Sequence, residues 1–339
     1  MKPPVPSLAA LLESFFRHRL VAQMRASSAT LAAYRDAFRL LLVFTAKRLR
    51  KSPSRLAIED LDRDGILAFL DHIEKERGNS VRTRNARLAA IRSFFHHVAY
   101  CDPGSMGIVQ RVLAIPGKRS SRPVVQYLRD QELEALLAAP DRSRPIGRRD
   151  HGLLLFLART GARVSEAVAV NLADLRLDRP SQVLLRGKGE KERLIPLEED
   201  TVAVLRALLD ERRPAPSPST PIFVDSRGNG LTRHGVIHIV TRAAGTASKD
   251  QPEIAKRKVS PHTFRHTRAM SLLHNGADLV TIQNWLGHAR VDTTHHYLQA
   301  DVEMKRRALE KCASPGVAET GRYKPPDDLL ALLEGLAIM

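Results

Sequence analysis

Between Cys101 and Pro123 the chain gathers Pro103-Gly104 and the run Pro116-Gly117-Lys118-Arg119-Ser120-Ser121-Arg122-Pro123. Proline lacks the N–H a helix or sheet interior needs, and glycine is costly to order, so this composition suits an exposed connection between two bodies. Its positive charge suits a connection that runs along a polyanion. The 339 residues are thereby divided into parts that are each long enough to bury a core. The expected organisation is a helical domain over 1–103, a basic linker over 104–126, a second domain over 127–313 and a tail over 314–339.

From Ser7 to Tyr100 apolar residues recur at helical spacing and strand-like alternation is absent. Leu31, Tyr34, Phe38, Leu41, Leu42 and Thr45 form one stripe after the capping pair Ser27-Ser28, with Arg35 and Arg39 beside it. A second helix is predicted from Ser80, with Leu88, Ile91 and Phe95 inward. Arg82, Arg84, Arg87 and Arg92 accompany it, and with Lys118 and Arg119 of the linker they are candidate phosphate contacts. A solvated helix face is the alternative for these arginines.

The chain carries 54 Lys and Arg against 37 Asp and Glu, a formal charge of +17. Residues 1–126 hold 22 of the basic and 10 of the acidic residues, or +12, which leaves +5 for the remainder. Clustered cations release the counterions condensed on nucleic acid, so the N-terminal part is the expected DNA clamp. Cys101 and Cys312 stand far apart and without metal-ligand spacing, which points away from a disulfide framework or a zinc site. No apolar run reaches the roughly 20 residues of a membrane span, and the expected location is cytoplasmic, at the nucleoid.

Beyond residue 127 the pattern is mixed. Arg129 to Ala139 and Gly152 to Arg159 read as helices, the latter ended by Gly161, which places Arg163 at the start of the next. Val183–Arg186 and Glu192–Pro196 read as a hairpin with Lys188 at its tip in Gly187-Lys188-Gly189-Glu190-Lys191. The G-x-x-x-x-G-K-[ST] pattern of a nucleotide-binding loop is absent. Ser260-Pro261 opens a helix that carries His262, Arg265 and His266 on one face; Asn275-Gly276 closes it, Asp278 caps the next and Gly287 ends that one before His288. Asp292-Thr293-Thr294 can start a last short helix bearing Tyr297, and Leu329, Leu330, Leu332, Leu333 and Leu336 form a leucine-rich segment in the tail.

Two arginines, a lysine, two histidines and a tyrosine, in the order Arg163, Lys188, His262, Arg265, His288, Tyr297, resemble the tyrosine recombinases, or phage integrases. The resemblance runs from about Ser7 to Leu309 and matches the family in the separations of every element. It implies a mainly α fold with a small β-sheet in the catalytic domain, and a helical, SAM-like core-binding domain that closes with it as a C-shaped DNA clamp. It also implies site-specific recombination, with a tetramer of this chain, or of it and a related recombinase, on double-stranded DNA. Tyr297 would attack the phosphodiester to give a 3′-phosphotyrosyl link and a free 5′-hydroxyl, with no cofactor, ATP or metal. Arg163 and Arg265 would stabilise the transition state, His262 and His288 would assist, and Lys188, or Lys191 if the register differs, would protonate the leaving oxygen. Glu166 and His266 are expected beside these residues, Glu166 as an orienting carboxylate or as a helix-start anion. His295 and His296 with His288 suggest a metal cluster, but no Asp, Glu or Cys ligand pattern completes it, and they are read as surface or supporting histidines.

The simple members of the family are implied, Xer-like or from transposons and integrative elements, with integration, excision or transposition of a mobile element ahead of chromosome- or plasmid-dimer resolution. Two readings stand outside recombination. One is a non-catalytic DNA-binding protein whose residues 261–287 form a helix-turn-helix; the other is a topoisomerase IB-like relaxing enzyme.

Overall fold

The computed structural model describes residues 6–120, 126–187, 191–212 and 217–287. Lys188, His288, Tyr297, the helix expected around Tyr297 and the leucine-rich tail lie outside them. Packing divides the chain into two units, Met1–Arg122 and Pro123–Met339.

The first unit is all-helical among its described residues. Its helices are α1 (Leu8–Ser14), α2 (Ser28–Leu49), α3 (Arg63–Lys75), α4 (Val81–Cys101) and α5 (Met106–Leu113), with a π-helical segment, Phe15–Gln23, continuing α1. Ser7, Ser27 and Ser80 cap α1, α2 and α4 by accepting from backbone N–H groups three residues on, as their Ser-x-x spacing predicts. The core is aromatic: Phe15 and Phe38 meet Phe94 with ring centroids 5.5 and 5.2 Å apart, edge to face.

The expected linker is corrected here. Residues 106–113 form α5, and Val109, Val112 and Ile115 are buried in the first unit's core. The chain is then pinned at Lys118, whose backbone exchanges two hydrogen bonds with the Asn85 side chain, 2.8 and 3.1 Å. Pro103-Gly104 and Pro116-Gly117 flank this helix instead of breaking it, and Ile108 and Leu113 pack against the same core.

The second unit starts with α6 (Asp130–Ala138), α7 (Pro145–Thr160) and α8 (Val164–Ala169). A three-stranded antiparallel sheet follows, β1 (Leu175–Arg176), β2 (Gln182–Arg186) and β3 (Glu192–Pro196), in that order. Next come α9 (Glu199–Asp210), α10 (Arg233–Ala247), α11 (Pro261–His274) and α12 (Leu279–Leu286). Leu153 to Ala158 are all buried, so α7 is the central helix, and it packs against α6, α9 and α11. It begins earlier than Gly152 because Pro145 supplies a preset first turn. The mainly α architecture with a small sheet is as expected, with β1 as an added edge strand.

Candidate active site

Four elements end or begin at one place in the second unit. α7 stops at Gly161, where φ is +63° and a Cβ would stand 3.0 Å from Leu286 Cδ2, so both conformation and space favour glycine. That turn aims the Gly161 carbonyl at Arg265, whose Nη1 donates to it at 2.9 Å. α12 ends at Gly287, also at φ +63°. The Leu286 carbonyl accepts from Arg265 Nη2, and the Gly287 carbonyl accepts from Arg163 Nη2 at 3.0 Å. Both candidate phosphate-binding guanidiniums are therefore hung from consecutive carbonyls at the end of α12. Trp285 fastens that end from the other side, its Nε1 donating to the Thr160 carbonyl at 3.1 Å while Arg268 lies 4.9 Å over its ring.

Exposure separates the two arginines. Arg265 is 2% exposed, whereas the Arg163 side chain is 30% exposed. A buried guanidinium is tolerable because backbone oxygens satisfy it, and such fixed donors need little reorganisation when charge develops nearby.

Glu166 lies beneath them, 2% exposed. Its Oε2 accepts from the Arg163 backbone N–H at 2.8 Å, and its Oε1 accepts from Arg163 Nη1 at 2.7 Å. The two alternatives open for Glu166 are thus both realised: it satisfies the start of α8 and orients Arg163. It also holds a residue that sequence reading missed. Arg193 of β3 binds the same carboxylate as a fork, Nη1 to Oε1 at 2.9 Å and Nη2 to Oε2 at 2.6 Å, while its Nε donates to the Trp285 carbonyl at 2.9 Å. Burial alone would raise the Glu166 pKa; hydrogen bonds and charge from Arg193, joined by Arg163, hold it below the ordinary carboxylate value. The signal for Arg193 was strand parity: it lies two residues before buried Ile195 and pairs with buried Leu185, so it points inward with them.

α11 brings His262 and His266 to the same place, ring centroids 5.4 Å apart. The His262 ring is pushed down in pKa by partial burial and then by the charges of Arg265 and Arg163. His266 is lowered to about 4 by burial, with His262 and Arg265 adding to it. Both shifts favour the neutral ring, the form in which His262 can accept a proton.

Arg163, Glu166, His262, Arg265 and His266 are therefore brought together. Lys188 and His288 are outside the described residues, but the residues just before them are placed. Gly187 donates to the Lys191 carbonyl at 2.8 Å, and a Cβ on it would stand 3.2 Å from Glu166 Oε1. Its role is close approach to Glu166 as much as turning. Lys191 is exposed.

In the first unit, Arg35, Arg39 and Arg82 are exposed, as is Arg119. Arg84 is 3% exposed, with its Nε 3.5 Å from Glu74 and its Nη1 donating to Asn85 at 3.2 Å. Arg87 lies 3.6 Å from Asp36, and Arg92 donates to the Ile115 carbonyl. Lys118 is 2.7 Å from Glu74. Arg84 and Arg92 thus tie the unit together, and the expectation of an outward arginine face holds for only part of the set. Among the described residues no helix is long and apolar enough to cross a membrane, and no group of three or more His, Cys, Asp or Glu could hold a metal ion.

The sequence matches the phage integrase family over residues 126–304 and the phage integrase N-terminal SAM-like domain over residues 12–99. A Sinorhizobium fredii protein named integrase/recombinase y4rC is 46% identical over 97% of this chain and 98% of its own length. Tyrosine recombinase XerD of Listeria innocua is 35% identical over 83% of this chain and 91% of its own. Among solved structures, the XerH site-specific recombinase bound to palindromic difH substrate superposes with a TM-score of 0.70 at 22% identity, covering 84% of this chain and 80% of that one. The Tn1549 transposon integrase in complex with transposon right end DNA gives 0.69 at 18%, covering 91% of this chain and all of that one, 100%. At these identities the structural likeness speaks to the fold.

Proposed function

The chain belongs to the phage integrase family of tyrosine recombinases, and from that premise we propose that it cleaves and rejoins DNA at specific sites through a 3′-phosphotyrosyl intermediate on Tyr297. The observation that carries the reading is the suspension of Arg163 and Arg265 from the Gly287 and Leu286 carbonyls, next to neutral His262. A phosphodiester repels nucleophiles by its charge, and two fixed guanidiniums offset that charge most as it grows in the pentacoordinate transition state. Tyr297 has an ordinary phenol pKa near 10 and needs a base; His262 serves it. Lys188 protonates the departing 5′ oxygen, Lys191 being the fallback, and His288 hydrogen-bonds the phosphate. The bond energy is kept in the phosphotyrosyl ester and spent on rejoining, so neither ATP nor a metal enters.

The DNA is held by both units, with Arg35, Arg39, Arg82 and Arg119 on phosphates, and four protomers bring two sites together. The biological role is integration or excision of a mobile element inside the cell, the reading favoured by the 46% identical relative that is named an integrase/recombinase.

The test mixes full-length protein, in EDTA, with labelled nicked DNA from the ends of its own genetic locus and, separately, from a chromosomal dimer-resolution site. A denaturation-resistant adduct on the locus ends supports the reading, provided that Tyr297→Phe binds equally and forms none. Adduct on the chromosomal site alone moves the role to dimer resolution. Tight binding without adduct on either overturns the enzymatic reading, and cleavage that needs a divalent metal overturns the site.

A further inference from the structure

We propose that Arg193 is a positioning residue for strand cleavage, locking Arg163, the base of the β2–β3 hairpin and the end of α12 into one register through Glu166 and the Trp285 carbonyl. The inference rests on the proposed role of Arg163 and goes beyond it, since the three Arg193 nitrogens are engaged by Glu166 and the Trp285 carbonyl.

Three observations carry it. Arg193 uses its three guanidinium nitrogens on two different segments: Nη1 and Nη2 on Glu166 and Nε on the α12 backbone. Its side chain is 10% exposed and that of Glu166 is 1% exposed, so the pair is removed from solvent. The pair also touches the residues that directly precede two of the proposed catalytic groups. A Cβ on Gly187 would lie 3.2 Å from Glu166 Oε1, and one on Gly287 would lie 3.1 Å from Arg193 Nη1. Arg163 closes the circuit, bound to both Glu166 and the Gly287 carbonyl.

Energetics favour a positioning role over a stabilising one. Buried ion pairs recover their desolvation cost poorly against apolar replacements, so a pair enclosed in this way fixes geometry more than it adds stability. A lysine at 193 keeps the positive charge but has no planar fork and no second nitrogen to reach Trp285. Charge and register can therefore be separated by one substitution.

The experiment uses the full-length chain on nicked locus DNA and compares wild type, Arg163→Ala, Arg193→Lys, Arg193→Ala, Glu166→Gln and the Arg193→Ala/Glu166→Gln double variant. DNA affinity, Tm and the single-turnover rate of adduct formation are measured for each. The rate is then repeated on DNA whose scissile phosphate carries a methyl group in place of a non-bridging oxygen and so has no charge to neutralise. Arg193→Lys is expected to keep wild-type affinity and fold but to form adduct on the order of 10- to 100-fold more slowly, the range seen when a partner one step removed from the reacting groups is lost. That deficit should shrink on the uncharged phosphate in parallel with the Arg163→Ala deficit. The double variant, which removes the Arg193–Glu166 pair whole, should fold and be no slower than the worse single variant.

An Arg193→Lys rate within twofold of wild type overturns the proposal, as does a deficit that persists undiminished on the uncharged phosphate. Multiplying defects in the double variant would do the same. A wild type that forms no adduct, or an Arg163→Ala variant with no defect, fails at the proposed function and takes this inference with it; a normal Arg193→Lys beside a defective Arg163→Ala sinks the inference alone.

Discussion

At the residue scale the second unit concentrates charge where water is scarce, and the consequences are testable by pH. His262 and His266 both have pKa values below the unfolded 6.5, His266 at about 4. With a depressed histidine the unfolded chain takes up the proton first, so the stability these rings contribute is whole above pH 6.5 and is lost as pH falls from there toward 4. Glu166 is depressed from 4.5, and its contribution, present above that value, is lost only on further acidification. Denaturant midpoints should therefore be flat between pH 7 and 8, decline below about 6.5 and fall again below about 4.5. His262→Asn/His266→Asn should shrink the first decline, keeping only the part owed to His97 and His151, whose pKa values burial also lowers, and should leave the second; an unchanged profile in that variant would refute the assignment. Motif order singled out Arg163, Glu166, His262 and Arg265 in the sequence, the first three at the cap or in the first turn of a helix. Arg193 was hidden because a charged residue in a short strand reads as solvent-facing unless its parity with Ile195 is weighed above its charge.

Elements defined by caps and stops were legible. Ser27, Ser80, Ser260-Pro261, Asp278, Gly161 and Gly287 bound their helices where turn chemistry predicts. α10 was not legible, because Val236-Ile237-His238-Ile239-Val240-Thr241 is a β-branched run whose local preference is for strand; burial of Val236, Ile239, Val240 and Ala243 on one face makes it a helix. α5 was obscured by the Gly and Pro residues on either side of it. Since Ile115 is fully buried beyond α5, Ile115→Ala should destabilise the first unit by about 2–4 kcal/mol in urea unfolding, whereas a true linker residue would cost almost nothing. Gly187→Ala belongs to the same scale. Its Cβ must push against Glu166, so it should slow adduct formation while leaving Tm within a few degrees, and a normal rate would show that the hairpin base tolerates displacement.

For the whole molecule, the charge of +17 is a reservoir only partly available to DNA. Arg84 and Arg92 are consumed inside the first unit, while Arg35 and Arg39 remain exposed. Arg35→Ala and Arg39→Ala should each flatten the slope of log affinity against log salt by about 0.9, as loss of one phosphate contact does. Arg84→Ala should lower Tm and leave that slope alone; a flattened slope instead would return Arg84 to the DNA-contacting set. Above all of these stands the claim that the fold serves a covalent step on Tyr297. The most direct check is to trap the adduct on nicked DNA, digest it with trypsin and nuclease, and locate the nucleotide by mass spectrometry. The account predicts a phosphonucleotide on the peptide from Val291 to Lys305, whose single tyrosine is Tyr297. A nucleotide on any other residue, or an unmodified peptide from a cleaved reaction, would contradict it.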